Sequence, residues 1–273
     1  MGRHAVEESV AVELARKRAR MFVGRGSEKR LFSRLLQPSG ELRALFVHGI
    51  GGVGKTTLLN EFQRLTPDRN VACMRADARE LPDSPQALRH ALSFFLHGDD
   101  ARGLRVLLLD NFEFMAPLEA WFRDDFLARL PGGRRVVVAG RKGPAAAWTA
   151  DPGWAALTRI LALSGFTQGQ GEDYLRRRKV PAQRRGQVLG FARGHPLALA
   201  LSAELLAQQP AAALPPEAEQ EILALLMHQL LRGIDDLQQL QALRALAVVR
   251  QLNAPLLAHM LARDNVDALY DWL

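Results

Sequence analysis

A chain of 273 residues, 48% hydrophobic and 24% charged, is long for one core and suits a main domain with one or two smaller ones. No apolar run approaches the roughly 20 residues that cross a bilayer, and Glu7, Glu8 and Glu13 interrupt any stretch a signal peptide could use, so no membrane partner is expected. The formal net charge of +7 raises the question of nucleic acid, but the two densest basic clusters, Arg16-Lys17-Arg18-Ala19-Arg20 and Arg176-Arg177-Arg178-Lys179, lack the interleaved aromatics on which bases stack, and they read as solvated helix faces.

In chain order, residues 3–20 predict a charged helix packed by Val6, Val10 and Leu14, or a partly ordered lead-in. Met21-Phe22-Val23-Gly24-Arg25 opens the main domain, a helix over 28–36 follows, and Pro38-Ser39-Gly40 turns the chain into the strand Ala44-Leu45-Phe46-Val47. After a glycine loop and a helix from Leu58, residues 71–75 read as a second strand. Residues 84–96 have helical spacing at Leu88, Ala91, Leu92 and Phe95. Residues 105–110 form a near-continuous apolar strand of the kind a parallel sheet covered on both faces requires. A helix over 115–130 stops at Pro131-Gly132-Gly133, and strands over 135–140 and 159–163 complete the pattern. Strands alternating with helices imply a parallel α/β sheet.

Beyond about residue 167 the strand signals stop. Helices are expected over 170–178, 182–191, 196–208, 216–232 and 237–250, with a proline-rich linker at 210–216. The expected organisation is a basic lead-in (1–20), a nucleotide-binding sheet domain (21–166), a helical lid (167–234) and a further helical unit (235–273). The single Cys73 cannot form an internal disulfide, and a cytoplasmic protein is the simplest expectation.

Residues 49–57, Gly49-Ile50-Gly51-Gly52-Val53-Gly54-Lys55-Thr56-Thr57, fit the phosphate-loop pattern G-x-x-x-x-G-K-[ST] between a strand and a helix. The glycines let the backbone curl until several N–H groups point at one anion, and the helix dipole adds to that field. Lys55 is placed to reach the β- and γ-phosphates and the Thr56 hydroxyl to ligate Mg²⁺. Leu107-Leu108-Leu109-Asp110 matches the Walker B pattern, in which a strand-end Asp holds Mg²⁺ through water. The position after Asp110, where many related ATPases carry a second carboxylate, is Asn111, whose amide can orient a water but not accept its proton. Glu113 is the alternative base, and slow turnover is expected. Arg141, at the end of the fourth strand, is a candidate sensor of the γ-phosphate. The guanine-specific Asn-Lys-x-Asp motif does not occur, which favours ATP.

The order Phe22-Val23-Gly24-Arg25, Gly49 to Thr57, Leu107-Leu108-Leu109-Asp110-Asn111-Phe112-Glu113, Val138-Ala139-Gly140-Arg141 and Gly194-His195-Pro196-Leu197 resembles the STAND class of AAA+-related signalling ATPases, and more narrowly the ATPase modules of bacterial LuxR-type and related regulators. The resemblance covers nearly the whole chain. It implies a three-layer P-loop NTPase sheet domain, a helical lid and a winged helix, with ATP or ADP and Mg²⁺ as cofactors and self-assembly or an effector domain as partner. It makes Phe22, Val23 and Arg25 contacts of adenine and ribose, and Pro196 a rigid apolar surface at the start of a lid helix. His195 replaces the leucine common in that motif. Segments 242–249, 255–258 and 266–273 resemble the three helices of the winged helix, whose β-wing does not follow, so the expectation is a fragment of a longer protein. Two functions compete: a nucleotide-dependent signalling switch with slow hydrolysis, and a DNA-associated ATPase. Segment 266–273 carries two acids and no base, a poor surface for a phosphate backbone, and favours the first.

Overall fold

The computed structural model describes residues 9–97, 103–208, 237–248 and 253–272, together with positions 220, 222 and 224. The linker expected at 210–216 and most of the helix expected over 216–232 lie outside the described residues, as do residues 3–8. The chain divides into two compact units, the second beginning at Leu223.

The first unit is built on five parallel strands, β1 (Ala44–His48), β2 (Ala72–Asp77), β3 (Arg105–Asp110), β4 (Arg134–Gly140) and β5 (Thr158–Ala162), in the order β2-β3-β4-β1-β5. The central strands are apolar on both sides because both faces are covered. Leu45 and Val47 of β1, Val106 and Leu108 of β3 and Val137 and Ala139 of β4 share one core with Phe32, Leu35, Leu58, Leu59 and Phe62. These last come from α2 (Gly26–Leu35) and α3 (Lys55–Arg64), where the rings of Phe32 and Phe62 stack 4.2 Å apart. The alternate residues, Phe46, Leu107, Leu109, Val136 and Val138, pack on the opposite face against Leu88, Leu92, Phe95, Phe112, Phe122, Phe126 and Trp148. The strand period of two therefore builds two cores from one sheet, the three-layer α/β architecture expected.

Two of the covering helices depart from the expected form. The helix expected over 84–96 breaks at Leu92 into α4 (Pro85–Ala91) and α5 (Ser93–His97). The helix expected over 115–130 begins three residues earlier as a 3₁₀ segment, Phe112–Leu118, passes through one α turn, α6 (Glu119–Trp121), and widens into a π segment, Phe122–Leu127. Pro117 lacks an N–H to donate within it, and the π widening carries both Phe122 and Phe126 into the core with their rings 5.2 Å apart. Short helices α7 (Ala147–Ala150) and α8 (Pro152–Leu157) lead into β5, at the sheet edge beside β1.

The segment expected as a lid forms three helices, α9 (Gln168–Arg177), α10 (Ala182–Ala192) and α11 (Pro196–Gln208). The lead-in does form a helix, α1 (Val10–Met21), but the packing expected of it is absent: Val10 is 72% exposed, Leu14 is 44% exposed, and no residue of the helix is buried. Its tether is polar instead, through Arg177 of α9 donating to the carbonyls of Arg20 and Phe22. The second unit contains helices Leu237–Val248, Ala254–Leu261 and Asp267–Trp272 around Ala242, Ala245, Leu257 and Val266. Among the described residues no helix is long and apolar enough to cross a membrane.

Candidate functional site

Because β4 lies between β1 and β3, the C-terminal ends of these three strands are adjacent, with His48 opposite Gly140 and Leu109 opposite Val138. The glycine loop leaves β1 there and enters α3 through Gly54, whose φ of +101° suits a residue without Cβ. Gly52, at φ +75°, is required sterically as well: a Cβ on it would stand 2.7 Å from the imidazole of His195 and 2.9 Å from Leu197 Cβ. Lys55 opens α3, and its ammonium donates to the carbonyls of Gly49 (2.6 Å) and Ile50 (3.0 Å), so its side chain folds back across the loop. Burial pushes the Lys55 ammonium down; Glu113 and Asp110 oppose that shift, and Arg141 adds to it. Those influences put Lys55, Glu113, Arg141 and Asp110 in one electrostatic neighbourhood. Thr56 and Thr57 are exposed on the first turn of α3, Gly51 is half-buried and Val53 is buried.

Asp110 ends β3 with its carboxylate almost wholly enclosed, and both oxygens are engaged. Oδ1 accepts from the N–H of Asn111 (3.1 Å), and Oδ2 accepts from Arg75 of β2 (2.8 Å). The other arm of the Arg75 guanidinium donates to Asn60 Oδ1 of α3 (2.5 Å). Asn111 adopts a left-handed conformation, φ +56°, and its amide donates to both oxygens of Asp77 at 3.0 Å. Arg79 is the main cause holding the Asp77 carboxyl down at about 2, with the Asn111 amide contributing. The reversal at Asn111 brings Glu113 back toward the sheet: its carboxylate accepts from the Arg141 N–H (3.2 Å) and pairs with the Arg141 guanidinium (3.3 Å). The candidate base and the candidate sensor thus meet each other, while Asn111 is committed to Asp77.

The residues placed by the resemblance divide into two groups. Val23 is buried, and Phe22 packs half-buried against the α2–α3 core with the Lys29 ammonium 5.6 Å from its ring. Arg25, itself left-handed at φ +60°, is buried with its guanidinium donating to the Val53 carbonyl of the glycine loop (3.1 Å), pairing with Glu28 and lying over the ring of Phe166. Its polar groups are therefore spent on protein. On the lid side, Pro196 occupies the first position of α11, where its missing N–H costs nothing. His195 caps that helix: Nδ1 accepts from the Ala198 N–H (3.3 Å). That leaves Nε2 as the protonated nitrogen, which donates to the Gly51 carbonyl at 3.0 Å. One imidazole thus ties the start of α11 to the glycine loop.

A phosphate fits this loop, since it meets backbone N–H groups, a helix N-terminus and a lysine. For a metal, the donor set is one hydroxyl, Thr56, and one carboxylate, Asp110, and among the described residues no cluster of three or more His, Cys, Asp or Glu could hold an ion unaided. That set suits Mg²⁺, which keeps several waters and takes further oxygens from substrate phosphates. Arg75, Asn60, Asp77 and Phe166 stand in no sequence motif; Asp77, two residues past the expected second strand, proves to close β2 beside β3.

No protein-family model and no curated protein matches the chain. Solved structures do. The Thermotoga maritima RuvB Holliday junction branch migration motor aligns over 92% of this chain and 86% of its own, at 15% identity and a TM-score of 0.53. The Aeropyrum pernix ORC1 protein in complex with DNA aligns over 92% and 87%, at 14% and 0.55. The replication initiator DnaA bound to AMPPCP and single-stranded DNA aligns over 90% and 86%, at 13% and 0.54. At these identities the likeness is one of fold: a parallel five-stranded sheet with flanking helices, the α/β fold of P-loop NTPases.

Proposed function

We propose that the chain is an ATP- and ADP-binding switch that hydrolyses ATP slowly and converts nucleotide state into domain arrangement and assembly, as the STAND-like motif order suggests. The observation that carries this reading is the pairing of Glu113 with Arg141 within the electrostatic reach of Lys55. On nucleotide binding, Lys55 exchanges the Gly49 and Ile50 carbonyls for the β- and γ-phosphates. Arg141 exchanges Glu113 for the γ-phosphate, and the released Glu113 carboxylate becomes able to take a proton from the attacking water. Thr56 and Asp110 would hold Mg²⁺, which would supply neutralisation of phosphate charge. Because Asn111 cannot accept the proton and Glu113 must first leave Arg141, turnover is slow and occupancy is the signal. His195 and Pro196 link that occupancy to the lid, and the three helices of the second unit read as the start of a winged helix that follows the lid.

Binding of a fluorescent ATP analogue and small-angle scattering with and without nucleotide test this directly. Lys55→Ala should weaken ATP binding by roughly tenfold to a hundredfold, the loss of charge-assisted bonds to phosphate, and abolish nucleotide-dependent changes in compactness or oligomer size. Unchanged binding in that variant would remove the site. The second reading, a DNA-associated ATPase, is favoured by the net charge of +7 and by fold neighbours described as bound to DNA or as branch migration motors. Tight duplex binding that falls steeply with salt would establish it in place of the switch.

A further inference from the structure

Arg75 lies outside every motif, yet it joins the two elements that carry the proposed magnesium ligands. Thr56 and Asn60 are four residues apart on α3 and so share a face of that helix. Arg75 Nη1 donates to Asn60 Oδ1 on α3, and Nη2 donates to Asp110 Oδ2 on β3. The Asp110 side chain is 5% exposed and that of Arg75 is 23% exposed, so the pair is largely shielded from solvent. A buried carboxylate without a countercharge is strongly disfavoured. In this chain the countercharge is built in.

We infer that Arg75 is a positioning residue for the metal side of the nucleotide site, an internal cation that neutralises Asp110 so that Mg²⁺ enters only together with nucleotide phosphates. The inference rests on the nucleotide-binding reading above. Two consequences separate Arg75 from a residue that merely supports the fold. Nucleotide-free protein has no affinity for the metal alone, since Asp110 already has its partner and Thr56 offers only a hydroxyl. Nucleotide binding also depends little on the metal, because a fixed cation already offsets the repulsion between Asp110 and the phosphates.

The test is the ratio of the ADP dissociation constant in EDTA to that in excess Mg²⁺. The wild-type ratio should be below about ten. In Arg75→Met the unpaired carboxylate repels phosphate unless an ion lies between them, and the ratio should rise at least tenfold. Arg75→Lys should keep the wild-type ratio, and Asp110→Asn added to Arg75→Met should restore it. Equal weakening in EDTA and in Mg²⁺, or no change in either, would overturn the inference. Mn²⁺ titrated into nucleotide-free wild-type protein and followed by EPR needs no variant. No binding below millimolar is expected, and submillimolar binding overturns the inference even if Arg75→Met does not fold. A wild-type protein that binds no nucleotide under either condition would instead end the nucleotide-binding reading itself.

Discussion

Asp77 decides what Asn111 can do. The amide sits 3.0 Å from both oxygens of a carboxylate that Arg79 holds at about 2, against an ordinary 3.8. A depressed acid contributes stability above its unfolded value and loses it as pH falls through the folded one, so this anchor should persist down to about pH 4 and be lost toward about pH 2. The Asn111 side-chain NH₂ resonances should follow the same titration. Asn111→Asp, attractive from sequence as a way to restore a missing base, should therefore fail: the new carboxylate faces Asp77 and costs about 1–2 kcal/mol at neutral pH. That cost should shrink in acid as the introduced group protonates, while ATP turnover stays unimproved; urea titrations at pH 7 and pH 4.5 with a phosphate-release assay read both. The identities of Lys55, Asp110 and Arg141 were legible because each stands at a fixed offset within a short motif. The direction of Glu113 was not, since it depends on the left-handed turn at Asn111, and Arg75 finds its partner 35 residues away.

At the scale of elements, the strands were legible to within a residue or two, most plainly β1, β3 and β4, whose burial on both faces requires uninterrupted apolar runs. The helices on its second face were less so. Their form follows aromatic rings that fit against one another across long separations, as Phe46 does edge-on with Phe112 and Trp148, and no local period records that. Arginine is the other surprise. Arg134 and Arg135 open β4 fully buried, and among the described residues no carboxylate accepts a hydrogen bond from either. Arg135 donates to the carbonyls of Leu35, Gln37 and Pro38, where α2 ends, and to that of Gly132. The Leu35 carbonyl is one of the groups a helix leaves unpaired at its C-terminus, and a cation there also meets the negative end of the dipole. Arg135→Ala should leave the buried Leu35 carbonyl without its donor and empty a buried side-chain site, costing about 3 kcal/mol in urea unfolding. Arg159→Ala, on the exposed edge strand, should stay within about 0.5 kcal/mol.

For the molecule as a whole, the proposed switch requires a contact that carries nucleotide occupancy from the glycine loop to α9–α11. At His195 one ring serves both sides, capping α11 with Nδ1 and holding the Gly51 carbonyl with Nε2. Leucine, the residue common at this place in the resembling family, could do neither. His195→Leu should consequently keep the apolar contact with Gly52 while cutting the polar stitch. Faster amide hydrogen exchange is expected at Ala198, whose N–H loses its acceptor, and at residues 51–54, with little change in the sheet. If the loop and lid communicate through this imidazole, nucleotide will protect α11 from exchange in the wild type and not in His195→Leu, although both bind it. Equal protection in the two proteins would place the coupling elsewhere, with the Arg25 bond to the Val53 carbonyl, which reaches the same loop from the other side, as the next contact to cut.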